Sequence, residues 1–208
     1  MMGWYDEHVV PRLIKCACSS PAIMQLRQQV VPLASGAVFE LGCGGGINQQ
    51  FYDSARVTSY AGMDPSAKGR EFARGAAQSA GRVADIRAGV GEAIPYGDDS
   101  FDCVVCTFTL CSVDDPAQVL RELRRVLKPG GRLLYAEHGR APDPAVAKWQ
   151  DRIEPVWKRL AGGCHLTRPV GSAIATGGFD VAALGARYAP KTPRFAGWME
   201  WGEARKSA

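Results

Sequence analysis

The chain has 208 residues, 46% hydrophobic and 22% charged, with a formal net charge of +4. Those values fit one globular domain, or one with an attached subdomain, able to bury a substantial core. The mild charge, with no dense Lys/Arg stripe interleaved with aromatics, argues against a nucleic-acid partner. Arg121, Arg124, Arg125 and Lys128 recur at helical spacing and read as a solvated helix face. Asp6 and Glu7 interrupt the N-terminus where the apolar core of a signal would lie. No apolar run approaches the roughly 20 residues of a membrane span. A soluble, cytoplasmic protein without stable membrane insertion is therefore expected. Seven cysteines, an odd number, fall mostly inside apolar segments, which suits reduced thiols and not a disulfide framework.

Residues 4–33 read as two short helices. Val9, Leu13 and Cys16 give the first an apolar stripe, and Ser20-Pro21 starts the second. This piece is expected either to lie over the mouth of the main domain or to cover a sheet face. From residue 37 strands and helices alternate. Strands are predicted at 37–41, 57–63, 82–88, 101–107 and 131–137, and helices near 47–53, 66–78 and 116–127. Asp115-Pro116 caps the last of these helices, and Pro129-Gly130-Gly131 follows its end. Such alternation predicts a parallel sheet with helices on both faces. After the fifth strand, Pro142-Asp143-Pro144 opens a helical stretch carrying Trp149, Ile153, Val156, Trp157 and Leu160, with a kink expected at Pro155. A short helix at 168–176 precedes strand-like runs at 179–188 and 194–202, which suggest an antiparallel hairpin at one sheet edge. The expected architecture is α/β: a Rossmann-like, seven-stranded, mostly parallel sheet. Residues 1–35 would form a helical cover, and residues 36–208 the main domain with a helical insert at about 142–176.

The segment Val38-Phe39-Glu40-Leu41-Gly42-Cys43-Gly44-Gly45-Gly46 reads as a buried strand entering a glycine-rich turn. The glycines would let a nucleotide-like ligand approach the backbone, and a helix from about Ile47 would offer its N–H groups and positive dipole end. A dinucleotide loop needs Gly-x-Gly-x-x-Gly. Counted from Gly42, its third glycine falls on Ile47, so the spacing disfavours a dinucleotide oxidoreductase. Asp64 ends the second predicted strand, where a carboxylate can accept both ribose hydroxyls; capping the next helix is the structural alternative. Gly89-Val90-Gly91-Glu92 follows the third strand. Val126-Leu127-Lys128-Pro129-Gly130-Gly131 makes a helix stop and a tight entry to the fifth.

Glu40-x-Gly42-x-Gly44-x-Gly46, Asp64, the Gly89–Tyr96 loop and the Leu127-Lys128-Pro129-Gly130-Gly131 turn resemble the motifs of class I S-adenosylmethionine (SAM) methyltransferases. Further segments are similar to one bacterial subfamily, described as SAM-dependent and sometimes as phospholipid methyltransferases. They are Trp4-Tyr5-Asp6, Asn48-x-x-Phe51-Tyr52, Val105-Cys106-Thr107, Glu137-His138-Gly139 and Gly162-Gly163-Cys164-His165-Leu166-Thr167-Arg168. The central and later motifs also resemble animal methyltransferase-like proteins that methylate small alkyl thiols. The resemblance implies SAM as cofactor and a small, apolar acceptor, a thiol first and a lipid amine headgroup second. A non-catalytic SAM-binding protein is the other reading. The resemblance further implies that Glu40, Gly42 and Gly44 hold the methionine end, with Asn48 and Tyr5 near its carboxylate. Thr107 would meet its amino group, and Asp64 the ribose. Many members carry Asp where Val90 stands, so the adenine falls to the Gly91 backbone and the Glu92 side chain.

Methyl transfer from a sulfonium is an in-line displacement, so orientation carries much of the rate. A thiol, phenol or amine acceptor can still need a base, a task suited to histidine. His138, after the fifth strand, and His165, in a segment expected to return over that edge, are the candidates for catalysis. Cys103-x-x-Cys106 has zinc-like spacing, but residues three apart on a strand face opposite ways, so it reads as core. Cys43 and Cys111 are placed near the cofactor and Cys164 in the acceptor pocket. No metal site is expected.

Overall fold

In the computed structural model, residues 19–206 can be described; Tyr5, His8 and the first predicted helix lie outside them. Helix α1 spans Pro21–Val30, with Pro21 in its first turn after Ser20. Strand β1 (Gly36–Leu41) leads into the glycine loop. Then come β2 (Val57–Met63), α2 (Ala67–Ser79), β3 (Ala84–Arg87) and β4 (Phe101–Thr107). They are followed by α3 (Pro116–Val126), β5 (Leu127–His138), α4 (Pro144–Leu160) and α5 (Val170–Thr176). The chain ends in β6 (Phe179–Tyr188), the short α6 (Arg194–Gly197) and β7 (Trp198–Lys206). Ser66 and Asp115 cap α2 and α3 through side chains that accept from the backbone of Gly69 and Gln118.

The sheet order is β3-β2-β1-β4-β5-β7-β6. The first five strands are parallel; β7 runs antiparallel to both β5 and β6. This is the expected seven-stranded sheet with an antiparallel hairpin at one edge. The order reverses between β1 and β4, and ligands of open α/β sheets bind beyond the carboxyl ends of the strands at such a point.

Period-two alternation sorts the strand residues onto two cores. Phe39, Leu41, Val104, Cys106, Leu133 and Tyr135 pack against α3 and α5 on one face. Val38, Cys103, Val105, Leu134 and Trp201 pack against Leu26 and Val30 of α1 and Ala73 of α2 on the other. Cys103 and Cys106 therefore do face opposite ways, each in a core. The described part of the N-terminal segment covers a sheet face.

Three elements differ from expectation. Ile47–Phe51 is a single 3₁₀ turn, not an α-helix. Asn48 and Gln49 are buried in that turn. The Pro-fixed start at Pro193 nucleates α6, so β7 begins at Trp198 and not near residue 194. β5 begins at Leu127 and not near residue 131, because Leu127 already pairs with Phe101 of β4. No helix among the described residues is long and apolar enough to cross a membrane.

Candidate active site

The glycine loop takes its shape from positive φ angles and from close packing. Gly42, Gly44 and Gly46 have φ of 70°, 21° and 65°. A Cβ on Gly42 would run into the Thr109 side chain; one on Gly46 would lie 2.5 Å from the Ala76 Cβ of α2. The absent side chains thus make room for the protein's own β4 loop and α2, rather than for a ligand alone. Gly42 and Cys43 both donate backbone N–H groups to the Met63 carbonyl at the end of β2, at 2.9 and 3.0 Å. Asp64 completes the tie: Oδ2 accepts from Gly44 N at 3.0 Å and Oδ1 from Ser66 N at 2.8 Å. Burial raises the Asp64 pKa against these N–H groups, which pull it down. Asp64 therefore presents a pre-oriented carboxylate at the carboxyl end of β2, beside the loop. Ser66, not Asp64, supplies the α2 cap. The 3₁₀ turn at Ile47 removes the helix N-terminus expected behind the loop, and with it the anion cradle that a pyrophosphate would need.

Beneath the loop lies a buried polar network. Glu40 accepts from the Tyr52 and Tyr60 hydroxyls, each at 2.8 Å, and from Asn48 Nδ2 at 2.9 Å. Burial raises its pKa, and these donors together with Arg27 oppose the rise. Asn48 Nδ2 also donates to Thr107 Oγ1 at 3.0 Å. Arg27 Nη1 donates to Asn48 Oδ1 at 2.7 Å and to Thr107 Oγ1 at 2.6 Å. Glu40 and Asn48 are both buried, with their polar atoms already engaged inside the protein. They shape the loop from below. Arg27, which carries this network and stacks over the Phe108 ring at 5.0 Å, was not singled out in the sequence. Its signal was faint: one basic residue on a helix whose apolar neighbours account for its pattern.

The loop after β3 is anchored mainly by backbone and aromatic contacts. Tyr96 meets Phe39 and Phe101 edge-on, with centroids 5.4 and 5.2 Å away. Arg125 donates to the carbonyls of Ile94 and Tyr96. Glu92 Oε1 accepts from Asp114 N and Asp115 N at 2.9 and 3.0 Å, so that oxygen serves the entry to α3. Gly91 is buried, and a Cβ there would lie 2.9 Å from Val119.

The β4 loop is organised by Glu137, which the sequence marks only as part of the Glu137-His138-Gly139 motif. Its fully buried carboxylate accepts from the backbone N–H of Thr109, Leu110 and Cys111 at 2.7, 3.0 and 3.3 Å. That over-determined turn holds Phe108 at φ 55°. His138 points the other way, its Nε2 2.6 Å from Cys164 Sγ. Burial alone would depress the imidazole, but the Cys164 hydrogen bond and nearby Glu137 and Glu154 raise it overall. The Gly162–Arg168 segment does return over this edge: His165 N donates to the Cys111 carbonyl at 2.8 Å, and Arg168 Nη1 to the Leu110 carbonyl at 2.6 Å. His165 Nδ1 lies 2.6 Å from Glu154 Oε1 of α4, and Glu154 also accepts from Leu166 N at 2.7 Å. The structure thus brings Gly42, Gly44, Asp64 and Thr107 together on one side of the switch point. His138 and His165 belong to the β5 edge and its covering segment.

Residues 39–135 match the family model described as "Methyltransferase domain". Those residues hold β1 to β5, the Gly42–Gly46 loop and Asp64, so this part of the chain is a methyltransferase domain, for which S-adenosylmethionine is the implied cofactor. Its curated relatives narrow the comparison. The chain is 40% identical over 152 residues to "Thiol S-methyltransferase TMT1B" of Rattus norvegicus, which covers 71% of this chain and 61% of the relative. It is 44% identical over 142 residues to human TMT1B, covering 65% of this chain and 57% of that one. It is 34% identical over 164 residues to human "Thiol S-methyltransferase TMT1A", covering 76% and 66%. The matches thus span between 57% and 66% of the length of these relatives. Among solved structures, a SAM-dependent methyltransferase from Thermotoga maritima shares the fold, with a TM-score of 0.65 and 20% identity over 97% of this chain and 100% of that one.

Proposed function

We propose that this protein transfers the methyl group of SAM to a small, apolar thiol. The observation that carries the reading is the Gly42–Gly46 loop clamped by Asp64, at the point where the strand order reverses. The thiol as acceptor is supported by the relatives named above. SAM, when bound, supplies an already activated methyl group on a sulfonium.

In this reading Asp64 accepts the ribose hydroxyls on lone pairs that Gly44 and Ser66 leave open. The backbone of Gly42 and Gly44 and the carbonyl of Thr107 border the methionine end. Arg27 supplies positive charge on that side, while Glu40 and Asn48 act as positioning residues under the loop. The Gly91 backbone and the free side of Glu92 border the adenine. Tyr5 keeps its assignment to the carboxylate, from the segment outside the described residues. The Gly162–Arg168 segment covers the acceptor side and excludes water, which matters for a displacement that depends on orientation. His165, held through Nδ1 by Glu154, keeps Nε2 for the acceptor's proton. The molecule acts away from a membrane and in the cytoplasm, on an acceptor that reaches it from solution. A lipid amine headgroup is the second acceptor class.

The test is incubation of the full chain with SAM and a panel of alkyl thiols, phenols, amines and phosphatidylethanolamine vesicles, followed by mass spectrometry. An S-methyl product with stoichiometric S-adenosylhomocysteine is expected. SAM binding without methylation of any thiol would remove the reading.

A further inference from the structure

No metal site is expected from the residue pattern, whose one zinc-like pair, Cys103-x-x-Cys106, is split between two cores. A different trio converges. The ligand atoms of Cys111, His138 and Cys164 all lie within 4.8 Å of one another. They come from three separate places: the turn after β4, the end of β5 and the Gly162-Gly163 loop. The approach is held from several sides. Glu137 anchors the Cys111 backbone N–H, and the Cys111 carbonyl accepts from His165 N. His138 Nδ1 is buried and has no hydrogen-bond partner among the described residues.

We infer that Cys111, His138 and Cys164 bind one thiophilic divalent cation, zinc. Two thiols and one imidazole are a borderline-soft donor set that suits zinc. Three protein ligands with an open fourth position are the arrangement of catalytic, not structural, zinc sites. At ordinary zinc–sulfur and zinc–nitrogen distances of about 2.3 and 2.0 Å, the ligand atoms stand roughly 3.3–3.8 Å apart. The trio reaches that spacing if Cys164 draws back from His138. Gly162 and Gly163, at φ 60° and 83°, give its backbone the freedom to do so.

The site also deepens the thiol reading, on which this step rests. The fourth position lies at the carboxyl edge of β4 and β5 and can take the sulfur of the acceptor. On coordination the S–H bond breaks and its proton passes to His165 Nε2, the base of the proposed function, and from there to water. The sulfur's electron pair then forms the S–CH₃ bond. The bond from that methyl to the sulfonium breaks, and its pair stays with the departing thioether. No oxidant or reductant is needed.

The experiment uses the tag-free full chain, stripped with chelator and titrated with Co²⁺, then displaced with Zn²⁺. One equivalent of Co²⁺ with thiolate-to-cobalt charge-transfer absorption is expected. Each of Cys111→Ser, His138→Ala and Cys164→Ser should weaken it by more than the roughly 100-fold that an outer partner alone can cost. SAM affinity, measured on the same variants, reports whether each is folded. Weak or superstoichiometric cobalt uptake, or uptake unchanged in folded variants, overturns the site. So does a Cys111–Cys164 disulfide in protein that takes up no metal. Thiol methylation by protein that binds no metal sinks this inference and leaves the proposed function standing. One equivalent of metal without thiol methylation does the reverse.

Discussion

Replacing Asp64 with Asn probes the ribose contact with little change in shape. Both Asp64 oxygens already accept backbone N–H groups, from Gly44 at 3.0 Å and Ser66 at 2.8 Å. Each oxygen keeps a lone pair for one ribose hydroxyl. A hydrogen bond to a charged acceptor contributes about 1.5–3 kcal/mol, and one to a neutral acceptor about 1. The amide keeps one acceptor and turns its NH₂ toward an N–H, donor against donor. The net loss in SAM binding is about 3 kcal/mol, roughly a 100-fold rise in Kd. Titration calorimetry with SAM measures it, and thermal melting checks the fold. The wild type should carry a matching pH signature. Burial raises the Asp64 pKa, so the carboxylate is lost sooner on acidification than an exposed one, and SAM affinity falls with it. Asp64→Asn should show no such decline. A variant Kd within about 3-fold of wild type would refute a ribose contact, because two charged hydrogen bonds cannot vanish at so small a cost.

Other expectations follow from the same geometry. Gly46→Ala puts a non-glycine residue at φ 65° with its Cβ 2.5 Å from Ala76 Cβ. Left-handed strain of about 1–2 kcal/mol and overpacking of similar size should lower Tm by about 6–12 °C; an unchanged melt would contradict the loop's packing. His165→Ala and Glu154→Gln should lower kcat by about 10²-fold, the low end of general-base effects, with the SAM Kd unchanged. A kcat unchanged from wild type in both would take His165 out of the chemistry. Asp102 accepts from Lys128 Nζ and from Ala37 N, both at 2.8 Å, and these bonds hold its pKa below the usual carboxylate value. A depressed folded pKa gives stability that is present above the unfolded value, near pH 4, and lost as pH falls through the folded one. The ion pair is solvent-exposed and adds little. Asp102→Asn should therefore cost about 1 kcal/mol, mainly through the Ala37 contact, in denaturant melts at pH 7. The difference should shrink on acidification, and a gap that widened instead would reverse the sign of the argument.

The parts of the fold that were legible are those written in contiguous pattern. The run Val38–Leu41 is buried without a break, as a central parallel strand covered on both faces requires, and with its glycines and Asp64 it marks β1, the loop and the end of β2. The run 179–188 coincides with β6. What escaped depends on packing across the sheet. Ile47–Phe51 forms one 3₁₀ turn because Asn48 is drawn inward to Glu40 and Thr107, partners that helical spacing does not reveal. Arg27 looks like any basic residue on α1 until β1 and β4 meet it. Glu137 stands out in the sequence only as part of a motif, and its three backbone partners come from the turn after β4. Cys111, His138 and Cys164 carry no spacing signature, since they meet only after β4, β5 and the covering segment are assembled.

Methyl transfer from SAM to sulfur is what the proposed function requires of this protein. The most direct measurement is kcat/KM with methyl-deuterated SAM for an alkyl thiol and its matched alcohol, with the label followed into product. The deuterated methyl group is expected on sulfur, with one S-adenosylhomocysteine per product and a thiol preferred over the alcohol by at least about 10³-fold, or about 4 kcal/mol. A label found on oxygen, nitrogen or carbon, or S-adenosylhomocysteine formed without a labelled thioether, would contradict it.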